Sequence, residues 1–372
     1  MSHETQRTDV ADQMVSVVVP LFNARETLDQ CLESVLAQTH ANLEVICLND
    51  GSTDGTLDAL RAHERRDARV RVVDKPNQGY GATCNRGIDE ARGTWLAIVE
   101  PDDYLEPTAL ADLLARADEL GGPDAVDVVR APYWRAFDDE DGREVRAICP
   151  YAGRVRPASQ PFWVGDADEL LRHHPSIWAG AYRLGYLRER GIRFVEAPGA
   201  GWTDNPFMAQ TLLLTRRVAY VDRPGYVYRE RDLNEADSFA ARQPLVPLTR
   251  WNEMMDVAER AGVDDRRVLG ALALRGVNYA LITCGAAEGE PGVWELVQRS
   301  MRRLPQELVL SERSISPAGK ALHARACGLP DPRASRLAYW AHLAGEAVWR
   351  VRANGLGFTL RTALSRRGGR LG

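Results

Sequence analysis

Val15-Ser16-Val17-Val18-Val19-Pro20-Leu21-Phe22-Asn23 is the stretch that decides the fold. Its opening is apolar, mostly β-branched and without alternation, as in a strand buried on both faces. Working outward, residues 26–37 place Leu28, Cys31, Leu32, Val35 and Leu36 at helical spacing. Residues 43–48 read as a second strand, 53–66 as a helix, 70–73 as a third strand, 82–91 as a helix and 95–99 as a fourth strand. This rhythm predicts an α/β fold with a mostly parallel, doubly wound sheet and right-handed crossovers. Ligands of such sheets sit beyond the carboxyl ends of the strands.

The strand ends therefore carry the chemistry. The first strand ends in Pro20-Leu21-Phe22-Asn23, the second in Asn49-Asp50-Gly51-Ser52-Thr53-Asp54, the fourth in Glu100-Pro101-Asp102-Asp103-Tyr104. Asp-Gly-Ser-Thr-Asp alone is turn and helix-capping chemistry, and an isolated acidic pair is usually a solvated turn. Together, these strand ends bring polar, mostly acidic groups to one sheet edge. One carboxylate there can accept hydrogen bonds from base and ribose. An adjacent pair can hold a hard divalent cation, Mn²⁺ or Mg²⁺, shared with substrate phosphates.

Beyond residue 123 the pattern is less regular, with strands expected at 126–130, 218–221 and 226–228. After about residue 240 it becomes helical, with stripes through Leu269–Cys284 and Leu337–Val351. The expected division is a disordered tail at 1–13, an α/β domain at 14–240 with halves at 14–105 and 106–240, and a helical extension at 241–372. The 372 residues are 45% hydrophobic, ample for a core, and the net charge of -5 gives no global case for nucleic acid. Six cysteines without a C-x-x-C pair read as buried reduced thiols, which places the chain in the cytoplasm. The polar first 13 residues lack the order of a signal peptide. Residues 271–287, the most apolar stretch, are interrupted by Arg275 and Asn278.

The motifs at residues 15–23, 49–54 and 100–103, with Asn77-Gln78-Gly79 and Asn85-Arg86-Gly87 between them, resemble glycosyltransferase family 2. The resemblance covers residues 15–237. It implies the GT-A fold and inverting transfer from a nucleotide-diphosphate sugar, with UDP as the usual nucleotide. It implies that Asp50 binds the nucleobase, that Pro20, Phe22 and Asn23 line the nucleotide pocket, and that Asp102 and Asp103 meet donor ribose and metal. Residues 176–183 resemble the segment beneath the acceptor site. Asp204, in Trp202-Thr203-Asp204-Asn205, occupies the family's catalytic-base position, although it also has the sequence context of a helix cap. Arg229 and Arg231 resemble the basic loop over the donor phosphates; two solvated arginines is the alternative. Glu100 stands where many members have Asp, Cys84 where many have Arg, and Thr203 where Glu is usual. Gly79-Tyr80-Gly81 and the Glu-x-Asp-Asp variant resemble members found with bacterial surface-polysaccharide and teichoic-acid genes.

The expected function is thus transfer of a sugar to a hydroxyl of a glycan or lipid-linked acceptor in bacterial polysaccharide biosynthesis. The alternative is a non-catalytic module that only binds a nucleotide-sugar. A nicotinamide-dependent oxidoreductase is excluded, since no G-x-G-x-x-G follows the first strand. At the C-terminal end, apolar residues interleave with arginines and no acidic residue follows Glu346. That pattern fits either peripheral contact with the inner face of the plasma membrane or a helix packed on its own domain or on a second subunit of a homo-oligomer, its arginines solvated.

Overall fold

The computed structural model describes residues 10–138, 141–199, 201–230, 242–287, 292–332, 336–356 and Thr359. The chain divides into two compact units. The first comprises Met1–Ala136, Tyr151–Ala167 and Pro175–Arg229; the second comprises Phe137–Pro150, Asp168–His174 and Glu230–Gly372. Two short segments within the stretch read as one α/β domain thus group with the C-terminal helices.

The strands are β1 (Val15–Leu21), β2 (Leu43–Asp50), β3 (Val70–Lys75), β4 (Trp95–Ile98), β5 (Tyr104–Leu105), β6 (Val128–Arg130), β7 (Tyr133–Asp138), β8 (Glu144–Ile148), β9 (Gly180–Arg183), β10 (Val218–Tyr220) and β11 (Tyr226–Arg229). The core of the first unit is a seven-stranded sheet in the order β10-β6-β9-β4-β1-β2-β3. β1 runs parallel to both β2 and β4, and β2 runs parallel to β3. Every residue of β1 is buried, including Ser16, whose hydroxyl donates to Glu44 Oε1 at 2.5 Å, as in a strand covered on both faces. The chain winds from β1 out to β3, then returns to β4 on the other side of β1. The crevice between the carboxyl ends of β1 and β4 is therefore the topological switch point, where open α/β sheets bind ligands. β9 enters antiparallel between β4 and β6, a strand the sequence pattern does not reveal. Beyond the acidic end of β4, the short β5 pairs antiparallel with β11, which pairs parallel with β7.

Helices α1 (Leu28–Leu36), α2 (Thr56–Arg66) and α3 (Tyr80–Glu90) cross between the first four strands. α2 starts three residues later than its spacing predicts, because residues 51–55 tie two strand exits together. Asp54 accepts from the Thr56 N–H at 3.0 Å and hydroxyl at 2.6 Å, and from the Arg25 N–H at 3.0 Å. Asn23 Oδ1 accepts the Thr53 N–H at 2.8 Å. Helices α4 (Ala109–Glu119), α6 (Leu184–Glu189) and α7 (Asp204–Leu213) complete this unit, and α5 (Glu169–Arg172) belongs to the other. Within the stretch expected to be disordered, Val10–Asp12 forms a 3-10 turn. Its anchor is Gln13, buried, whose side-chain oxygen accepts the Trp95 indole N–H at 2.7 Å.

In the second unit, α8 (Val246–Arg260), α10 (Val293–Met301), α11 (Gln306–Ser311) and α12 (Pro317–Cys327) pack around α9 (Arg266–Ala286). α9 is long and apolar enough to cross a membrane by composition, but here it is the core helix. Asp265 caps its start, accepting from the N–H groups of Arg267 and Val268. Trp251 is fully buried against Gly276, where a Cβ would lie 2.3 Å from its ring. The final helix, α13 (Arg336–Asn354), has no buried residue.

Candidate active site

β4 carries the chain to the switch point and stops because Pro101 has no N–H to continue the ladder. Glu100, Asp102 and Asp103 therefore emerge side by side. Their environments differ. Asp103 is buried, and both of its oxygens are engaged: Oδ2 accepts the Tyr226 hydroxyl at 2.7 Å, Oδ1 the Arg229 backbone N–H at 2.8 Å. Burial pushes its carboxyl well above the usual range and the neighbouring Asp102 adds to this, while the two hydrogen bonds oppose it. Asp102 is half-buried. Glu100 accepts the Tyr80 hydroxyl at 2.5 Å. Burial pushes Glu100 up to about 8; the Tyr80 bond opposes the shift, and the charges of Asp102 and Asp204 reinforce it. The charge of Asp204, at the start of α7, thus contributes to the electrostatics of the acidic turn that follows β4.

Asp50 ends β2 and is buried. It accepts from the backbone N–H of Gln78 at 2.8 Å and of Gly79 at 2.9 Å, and it pairs with Lys75. The carboxylate assigned to the nucleobase therefore also braces the loop that leads into α3. Asn23 has a positive φ of 50°, a left-handed conformation that asparagine tolerates. The preceding Phe22 is 54% exposed at the end of a wholly buried strand, leaving an aromatic face at the sheet edge. Pro20 remains within β1, in register with Leu48, so it lies beneath this edge.

Asp204 is the first residue of α7, with Thr203 rather than Asp204 at the cap position. The sequence alternative, that Asp204 is the cap, therefore moves one residue back. Asn205 Nδ2 donates to Asp204 Oδ1 at 3.1 Å. The segment ahead of it lies directly on the start of α3. A Cβ on Gly81 would stand 2.1 Å from the Val195 carbonyl oxygen, and one on Gly79 2.3 Å from that of Ala197. Only glycine at both positions allows this approach. Asn85 of α3 clamps the same segment, bonding the Phe194 N–H and carbonyl and donating to Glu196 Oε1 at 3.0 Å. Phe194 in turn stacks on Phe207 of α7 at 4.0 Å between centroids.

Arg229 ends β11 with its guanidinium 5.0 Å from the centre of the Tyr104 ring and bonded to Gln30. Arg231 lies outside the described residues. Several supporting residues are not evident from sequence. Tyr226 links Asp103 to the Glu100 N–H, which donates to its hydroxyl at 3.0 Å. Trp178 stacks on Tyr226 at 4.2 Å and on Tyr228 at 5.2 Å. Arg130, fully buried at the end of β6, donates to the carbonyls of Pro175 and Ser176 and to the Ser176 hydroxyl. It holds Ser176 at φ 39°, two residues ahead of Trp178. The one available signal was an arginine ending the apolar run of residues 126–130.

Comparison with known proteins agrees with this architecture. The family model for glycosyl transferase family 2 matches residues 16–164. Glycosyltransferase GlyG of Streptococcus pneumoniae serotype 4 (strain ATCC BAA-334 / TIGR4) is 37% identical over 229 residues, covering 59% of this chain and 71% of that protein. Succinoglycan biosynthesis protein ExoO of Rhizobium meliloti (strain 1021) is 29% identical over 221 residues, 59% of this chain and 61% of ExoO. Against several other curated relatives the chain likewise spans about 60% of their length. The crystal structure of S. aureus TarS 1-349 in complex with UDP-GlcNAc superposes with a TM-score of 0.64 at 19% identity, covering 89% of this chain and 92% of that one. That likeness extends the shared fold, a GT-A sheet with a helical C-terminal region, along nearly the whole chain. The chain belongs to glycosyltransferase family 2.

Proposed function

We propose that this protein transfers a sugar, with inversion, from a UDP-linked donor to a hydroxyl of a glycan or lipid-linked acceptor in bacterial polysaccharide biosynthesis. The observation that carries the proposal is that the charges of Asp102, in the turn after β4, and of Asp204, at the start of α7, both act on Glu100 beyond the end of β4. The relative bound to UDP-GlcNAc supports the donor class, and the succinoglycan protein supports the setting.

The roles follow from the environments. Phe22 supplies an apolar face for a base or sugar. Asp50 contacts the nucleobase through the turn it braces. Asp204 accepts the proton of the attacking hydroxyl, since inversion requires a base opposite the leaving group. Arg229, at the end of β11, meets the donor phosphates. Among the described residues no three His, Cys, Asp or Glu side chains form a cation site. A divalent ion held by one or two carboxylates plus substrate phosphates fits this donor set. Asp102 and Asp103 are the carboxylates that would hold Mn²⁺ or Mg²⁺; Asp102 is the more accessible of the two, since Asp103 is buried and each of its oxygens accepts a protein donor. When bound, the ion neutralises charge on the departing diphosphate.

The test is thermal-shift titration of nucleotide-sugars with and without Mn²⁺, followed by donor hydrolysis. A stabilisation of about 2.7 kcal/mol is expected with ligand near 100 times its Kd. Asp102→Asn should abolish the Mn²⁺ dependence of that shift. Absence of any shift with every nucleotide-sugar, metal present, would overturn the donor assignment.

A further inference from the structure

The last described helix, α13, is unlike the others of its unit: none of its residues is buried. Leu337 is 82% exposed, Trp340 64% and Val348 50%, and Leu356 just beyond it is 59% exposed. These are four of the seven large hydrophobic residues exposed among the described residues. At about 100° per residue, Leu337, Ala341, Ala344 and Val348 fall within an arc of roughly 60°, with Trp340 on its flank. The helix therefore turns an apolar stripe away from the core of its unit.

We propose that this face docks on an anionic lipid bilayer. The argument for that occupant is charge. The chain carries a formal charge of -5, yet six arginines and no Asp or Glu follow Glu346. One of them, Arg352, is exposed on α13 about 50° from the centre of the stripe, while Arg350 is exposed on the opposite face. An apolar stripe seats among acyl chains while flanking arginines meet anionic headgroups. A second copy of the chain would bring like charges together along the same seam, which disfavours a helix pair as the occupant. The inference is independent of the donor and base assignments.

The test uses the full chain and two vesicle preparations, phosphatidylcholine alone and phosphatidylcholine mixed with phosphatidylglycerol. Wild type is expected to co-sediment with the mixed vesicles at low salt, to be released at high salt, and to stay in the supernatant with phosphatidylcholine alone. A variant carrying Leu337→Ser, Trp340→Ser and Val348→Ser should lose co-sedimentation with unchanged circular dichroism, since no buried group is altered. Arg352→Gln should weaken it and flatten its salt dependence. Wild type remaining in the supernatant with mixed vesicles overturns the proposal. So does equal sedimentation of the triple-serine variant, which would put the contact elsewhere. A light-scattering mass showing a dimer that the serine variant converts to monomer would make a second copy the occupant and overturn it equally.

Discussion

The Tyr226 hydroxyl donates to Asp103 Oδ2 at 2.7 Å while accepting the Glu100 backbone N–H at 3.0 Å. One phenol from β11 thus fixes both ends of the acidic turn that leaves β4. Its ring is pinned by Trp178, stacked at 4.2 Å.

Tyr226→Phe keeps the ring and removes this link. A buried carboxylate and a backbone N–H each lose a partner, at a cost of roughly 1–3 kcal/mol. The midpoint of denaturant unfolding should fall accordingly, with an unchanged slope. Donor KM should rise as the turn carrying Asp102 loosens. A variant that unfolds like wild type and keeps its donor KM would show that Tyr226 merely fills space.

Glu100 gives a pH signature. Its carboxyl, pushed up to about 8 chiefly by burial, ionises near the ordinary 4.5 once the chain unfolds. Between those values the native state holds a proton that the unfolded state has lost. The stability this group contributes is full below about 4.5 and is lost as pH rises toward about 8. Glu100→Gln stays neutral and retains an oxygen for Tyr80. Without metal, the variant should gain stability over wild type as pH climbs through that window, then hold a constant lead above it. Parallel curves of melting temperature against pH would refute the assignment.

Strands β1 to β4 were legible because long apolar runs bounded by turn residues have few other solutions. The placement of Asn23, Asp50 and Asp102 at one edge followed from their order along those strands. The division of labour within Glu100-Pro-Asp102-Asp103 was not legible. Asp103 owes its brace role to Tyr226, 123 residues away, and Asp50 owes its partners to Lys75 and the α3 loop. The strands missed, β5, β7, β8 and β9, span two to six residues each. At that length, tertiary pairing rather than local pattern decides the conformation. The aromatic stack on Trp178 joins residues from separate elements and leaves no mark on any local spacing.

Gly81→Ala probes the seat of the base. The added Cβ would meet the Val195 carbonyl oxygen at 2.1 Å, and backbone on both sides cannot swing away. The backbone at Val195 must give way, which disturbs the segment leading to Asp204. A misplacement near 1 Å can cost about 10²-fold in rate, so kcat should fall strongly while UDP affinity, assigned to Phe22, Asp50, Asp102 and Arg229, changes less. Gly55→Ala is the control: its φ is +90° and nothing lies within 4 Å of the new Cβ, so it adds backbone strain without moving that segment. Equal losses of kcat in the two variants would refute the coupling between α3 and the base.

Asp204→Asn separates catalysis from architecture. Thr203 stands at the cap position of α7 without a side-chain cap bond and Asp204 is the acidic residue of the first turn, so loss of its charge costs the helix start only about 0.3–1 kcal/mol. The variant keeps the shape of the side chain and an oxygen able to accept from Asn205, as Oδ1 does at 3.1 Å. What it loses is the capacity to take the acceptor's proton. Removal of a positioned base costs about 10² to 10⁴ in rate. Transfer should fall by that factor, with the melting temperature and UDP-sugar affinity close to wild type. The Glu100 carboxyl should also shift downward, because one of the two negative charges that raise it is gone. That second readout distinguishes a base beside the acidic turn from a distant structural aspartate. If Asp204→Asn transfers sugar at the wild-type rate, the base lies elsewhere. Glu196, held by Asn85 at 3.0 Å on the same segment, is then the residue to replace.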